Sequence, residues 1–143
     1  MASSRSVRAV PPFTRTEVKA AFEALPPLAC RKLLQLRALI FRTAKQTPGV
    51  GSLEEALRWG EPSYLTSESR SGTTVRIHWK ARQPEHGALY VHCQTRLVEQ
   101  YRVRHGATLT FDGNRAVLLE LRKSLPEDAL RDCIALALTY HQR

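Results

Sequence analysis

Two histidines, His78 and His92, lie in segments that alternate polar and apolar residues, "TVRIHWKA" (74–81) and "ALYVHCQ" (88–94). A strand repeats every two residues, so Arg76, His78 and Lys80 share one face, as do Tyr90 and His92. These five residues form a candidate ligand- or anion-binding set. The two imidazoles could instead share a divalent metal, with Glu61 or Glu120 as the nearest third ligand. Without an evident third ligand, polar histidines on a sheet face are more simply solvated, and no metal is assigned. Cys93 has the opposite strand parity to both histidines, which argues against a Cys-His nucleophile pair. Ser63 follows a proline and lacks a Gly-x-Ser-x-Gly context, so it is not read as a nucleophile. No phosphate loop, dinucleotide fingerprint or His-Glu-x-x-His motif occurs in the chain, and a cofactor enzyme is disfavoured.

A second candidate comes from charge. The net charge is +9, and residues 1–45 hold nine basic residues against only Glu17 and Glu23. Within "LACRKLLQLRALIFRTAKQ" (28–46), Leu33, Leu36, Ile40, Phe41 and Ala44 recur at helical spacing, and Arg31, Lys32, Arg42 and Lys45 gather opposite them. This basic ridge could hold nucleic acid electrostatically, helped by Arg5, Arg8 and Arg15. No base-stacking aromatics accompany it, so a solvated outer face is the simpler expectation. Arg37 points to the apolar side of the same helix, where it must snorkel to an edge or meet a carboxylate.

The elements that position these groups follow from punctuation. Residues 1–13 mix Ser, Arg, Val and Pro without periodicity and are expected to form a loosely ordered basic arm ahead of one domain over 14–143. Thr14 and Glu17 have capping-box spacing for a short helix to about Leu25, and Pro26-Pro27 ends it and opens the next. "TPGVGS" (47–52) stops that helix; Ser52 and Glu55 again have capping-box spacing, although the alternation of Leu57 and Trp59 favours a strand. In "WGEPSYL" (59–65) the glycine permits a bend and the proline holds Glu61 extended, giving one strand, a break and a resumed edge segment. Thr95 can cap a helix to about His105. Asp112-Gly113-Asn114 marks a hairpin between "ATLTF" and "RAVLLEL". Ser124, Pro126 and Glu127 open a last helix with Leu130, Cys133, Ile134, Ala137, Leu138 and His141 inside.

This order predicts an α+β two-layer sandwich, with an antiparallel sheet of about five strands and helices on one face. Trp59, Trp79, Leu89, Val91, Leu119 and Ile134 are expected in its core. The three cysteines, Cys30, Cys93 and Cys133, are widely spaced and read as reduced, small buried hydrophobes. No signal peptide or membrane span is apparent, so a cytoplasmic location without membrane partners is expected.

"ALRWGEPSY" after two helices, followed by "TTVRIHWKA", "HGALYVHCQ" and "LPEDALRDCIALAL", resembles the YdhG-like domain family, a bacterial domain family of unknown function. The likeness runs from about Val18 to His141. It implies a frataxin-like arrangement of helices on an antiparallel sheet, and some relatives are described as iron chaperones. Frataxin-type iron binding uses an acidic ridge, whereas the N-terminal helices here are basic. The resulting expectation is a non-catalytic module for an anionic ligand or a partner protein, with iron carriage and electrostatic nucleic-acid binding as alternatives.

Overall fold

The structure, a computed structural model, describes residues 10–142. Its order is α1 (Thr16–Glu23), α2 (Pro27–Gln46), β1 (Glu54–Arg58), β2 (Glu61–Leu65), β3 (Val75–Trp79), β4 (His86–Tyr90), α3 (Leu97–His105), β5 (Thr110–Asp112), β6 (Ala116–Glu120) and α4 (Glu127–Leu138). Single 3-10 turns at Cys93–Thr95 and Tyr140–Gln142 complete it. The strands form one six-stranded sheet in the order β1-β2-β3-β4-β6-β5, every pair antiparallel. Among the described residues no helix is long and apolar enough to cross a membrane.

The helices cover one face, as the alternation predicts. Val75, Ile77, Leu89, Val117 and Leu119 from the strands join Val18, Phe22, Leu33, Leu36, Ile40, Ile134 and Leu138 from the helices in one buried cluster. The residues of opposite parity, Ala88, Tyr90 and Ala116 with Leu118 beside them, form a separate cluster made only of sheet residues. Helix α2 opens on Pro27 and ends before Thr47, with Gly49 beyond it at φ +85°. The cation on its apolar side meets a carboxylate: Arg37 is fully buried and donates from Nε to Glu55 at 2.5 Å.

Several local expectations need correction. Neither capping box forms, because α1 starts after Arg15 without a side-chain cap and Glu55 lies in β1, turned toward Arg37. The six strands fit the expected sheet of about five, and the segment read as one broken strand is two because Trp59-Gly60 is a hairpin turn. Arg58 pairs with Glu61, which leaves those two residues as the loop at φ +53° and +75°, the positive angles of a type I′ connection. The edge is therefore β1, and β2 lies inside. Pro62 is tolerated there because the β2–β3 register, Ser63 with Arg76 and Tyr64 with Val75, stops short of it.

In the expected core, Leu89, Val91, Leu119 and Ile134 are buried. Trp79 is half-buried, its indole donating to the Pro84 carbonyl at 2.9 Å, and Trp59 is 84% exposed. His141 lies beyond α4 and is exposed. All three cysteines are free, but only Cys133 is buried; Cys30 is intermediate and Cys93 exposed. The expected arm splits: residues 1–9 lie outside the described residues, while Pro11 and Pro12 accept hydrogen bonds from Arg37 and the Phe13 ring packs at a tilt against Phe22.

Candidate functional site on the open sheet face

Register aligns Ser63, Arg76, Tyr90 and Ala116 in one cross-strand row, and His78, Ala88 and Leu118 in the next. Arg76 is the hub. Its Nη1 donates to Glu61 Oε1, and its guanidinium carbon lies 5.1 Å from both the Trp59 and the Tyr90 ring centroids. Lys80 Nζ is 5.5 Å from the Tyr90 centroid. His78 Nε2 is 3.7 Å from Glu61 Oε2, an ion-pair separation rather than a hydrogen bond. Glu61 can serve both neighbours because Pro62 holds it extended at the start of β2 and the Ser63 hydroxyl donates to its carbonyl at 2.9 Å.

The local charge balance on this face is positive. Glu61 is offset by Arg76, and among the described residues no carboxylate lies at salt-bridge distance from Lys80 or exposed Arg58. His78 titrates below its ordinary 6.5: partial burial disfavours the imidazolium most, Lys80 and Arg76 push the same way, and Glu61 pulls against them. It is therefore neutral at pH 7.

Of the five residues assigned to this face from sequence, Arg76, His78, Lys80 and Tyr90 come together and His92 does not. Strand β4 ends at Tyr90, and continuing its pairing with Arg76 would set His92 opposite Thr74, four residues or roughly 13 Å from His78 along the sheet. The His92 ring instead accepts from the Gln94 amide at 3.1 Å, capping the 3-10 turn. The other suggested metal ligand, Glu120, pairs across the sheet with His86 and binds Lys123. Among the described residues no group of three or more His, Cys, Asp and Glu could hold a metal.

Trp59 belongs to this site and not to the core expected for it. An equal-length strand on each side of Trp-Gly was the available signal for a two-residue turn. A tryptophan at φ +53° occupies a conformation that costs most L-residues about 1–2 kcal/mol, and its cation–π contact with Arg76 returns about 0.5–1 kcal/mol at such exposure. Trp59→Asn, which suits a type I′ turn, is therefore expected to melt at or above the parent, with a gain of up to about 1 kcal/mol. A loss larger than about 1 kcal/mol on denaturant unfolding would make the ring a structural contact.

The basic ridge is cross-linked rather than free. Lys32 donates to the Lys123 carbonyl at 3.0 Å, and Arg42 and Gln35 both donate to the Glu127 carboxylate, at 3.2 and 2.8 Å. Arg31 and Lys45 remain exposed. A cleft of about 560 Å³ between α2 and α4 is lined by Arg31, Arg42, Arg131 and Glu127, and Asp128 binds Arg131. Arg15 pairs with Glu54; Arg5 and Arg8 lie outside the described residues.

The nucleophile candidates among the described residues are not paired with an activating base. His105 Nε2 lies 2.7 Å from Asp132, a dyad beside Cys133 in sequence, but burial pushes the Cys133 thiol up to about 12. The Ser63 hydroxyl is committed to a backbone carbonyl. No protein-family model, curated protein or solved structure matches this chain. The YdhG-like resemblance therefore stands on the sequence segments alone.

Proposed function

We propose that the chain is a non-catalytic binding module that takes an anionic ligand or partner on the open face of its sheet. The observation that carries this reading is Arg76, held by Glu61 between Trp59 and Tyr90 with Lys80 alongside, on a face whose buried cluster contains no helix residue. Arg, Trp and Tyr are the side chains that most often anchor interfaces. A guanidinium whose orientation is fixed loses less entropy when it binds an oxyanion. The three free thiols support a reducing, cytoplasmic setting. Iron carriage, implied by the family resemblance, has no comparable support, because the two histidines are separated and Glu61 is engaged.

Titration with medium-chain inorganic polyphosphate at two salt concentrations tests the reading. Binding is expected at low salt and should weaken steeply as salt rises, because counterion release drives it. Arg76→Glu with Lys80→Glu should weaken it by at least about tenfold, whereas Arg31→Glu with Arg42→Glu should weaken it by no more than about twofold to threefold. Affinity should also rise below about pH 6.5, as His78 gains its proton beside the bound anion. Equal losses from the helix pair would move the site to the ridge. Ferrous iron binding in place of polyphosphate would restore the chaperone alternative.

A further inference from the structure

We infer that the anion this face selects is single-stranded nucleic acid, with Trp59 as a platform on which one base stacks. The inference rests on the sheet-face reading above and adds the ligand class. Trp59 is 84% exposed and belongs to neither buried cluster, so packing does not explain its size. A two-residue turn of defined dihedrals carries it, so the ring is presented on a short rigid support. One side of the indole lies against Arg76, 5.1 Å from the guanidinium carbon. The remaining exposure offers a planar, electron-rich surface at the rim of a cationic patch.

The chemistry that uses both features is narrow. A cationic ligand could stack on the indole, but Arg76 already lies against it, Arg58 is its chain neighbour and Glu61 is already paired. An acidic peptide or a phosphate polymer would satisfy the cations and leave the indole idle. A nucleotide strand satisfies both, because each unit joins a phosphate to a flat base, and aromatic side chains beside a positive track are how sequence-tolerant single-strand binders work. Duplex is disfavoured, since its bases are stacked on one another and not free to meet the ring. Tyr90 is not a second platform: it is 9% exposed, with Arg76 and Lys80 over its ring. It backs the cations, and the small Ala88 and Ala116 beside it keep the sheet low there.

Three probes of about twelve units decide it: labelled oligo(dT), an abasic oligomer with the same phosphates, and poly-glutamate, each read by fluorescence anisotropy at low salt. One stacked base contributes about 1–3 kcal/mol, so oligo(dT) should bind roughly 5- to 150-fold tighter than the abasic strand. Trp59→Ala should remove that difference by weakening oligo(dT) far more than the abasic strand, which loses only the ring's contact with Arg76, and Trp59→Phe should restore most of it. Being exposed, these variants are expected to fold, and their melting curves verify that. Equal affinity for oligo(dT) and the abasic strand overturns base stacking but leaves the anion-binding face intact. Oligo(dT) affinity that survives Trp59→Ala overturns the platform. Poly-glutamate binding as tightly as oligo(dT), and lost in Trp59→Ala, would point to an acidic protein partner instead. Silence from all three probes, together with polyphosphate, sinks this inference and the sheet-face reading alike.

Discussion

Replacing Glu55 with alanine is expected to destabilise the fold by about 3–5 kcal/mol, the cost of stripping one partner from a buried ion pair. The Arg37 side chain is 0% exposed and that of Glu55 is 5% exposed, so neither can turn to water if the other is removed. The carboxylate takes Arg37 Nε at 2.5 Å and Nη2 at 3.0 Å, and the Tyr64 hydroxyl at 2.8 Å. The remaining donors reach the Pro11 and Pro12 carbonyls at 2.6 and 3.3 Å, and Phe13 and Phe41 lie 3.9 and 5.0 Å from the guanidinium carbon. Burial, then the charge of Glu55, drive the Tyr64 ionisation far above its ordinary 10.0, so the phenol remains a donor wherever the protein is folded. Urea unfolding of Glu55→Ala gives the loss directly. Arg37→Met with Glu55→Leu should recover much of it, because replacing both charges avoids stranding either one. A cost below about 1 kcal/mol for the single variant would mean that water reaches the guanidinium.

That pair also marks how far the sequence could be read. A cation on the apolar side of an amphipathic helix announces its need for a carboxylate, and Arg37 was legible on that ground. Its partner was not, because Ser52 and Glu55 also satisfied a helix-capping spacing and the choice between the two roles is made by tertiary contact. Strand parity placed Arg76, His78, Lys80 and Tyr90 on one face and Ile77 and Leu89 on the other, since alternation is a local property that packing merely obeys. It failed where strands end. Val91 continues the alternation past Tyr90, yet His92 caps a 3-10 turn with its own ring, which removed His92 from the face and turned Cys93 outward. Trp59 was lost for a related reason: a large apolar residue reads as core unless the turn is recognised first, and Trp-Gly lacks the Asn or Asp that usually announces a type I′ hairpin.

Gly72→Ala is expected to be the costliest substitution of a glycine, about 3 kcal/mol, although Gly72 needs no left-handed backbone. A Cβ there would run into the backbone carbonyls of Ala137 and Leu138 at the end of α4, and backbone cannot rotate aside as a side chain can. The contact is close because loop and helix are joined around it: Ser71 Oγ donates to the Leu138 carbonyl at 2.7 Å, the Thr73 amide to Ala137 at 2.9 Å, and the His141 amide to Ser71 at 2.8 Å. Thr66 Oγ1 closes the loop from within, accepting from the Gly72 amide at 3.1 Å. An added methyl must separate the loop from the helix and loosen several of these bonds together. Since β2 and β3 share only two registered pairs, this junction also helps fix Glu61 against Arg76. Gly113→Ala is the control: nothing lies within 4 Å of its added Cβ, so only the strain of φ +57° remains, about 1–2 kcal/mol. Thermal and urea unfolding of the two variants should rank Gly72→Ala well below Gly113→Ala, with faster hydrogen exchange at the Thr73 amide in the former. Equal melting of Gly72→Ala and the parent would show that loop and helix can part freely, and the tight junction assigned to them here would be wrong.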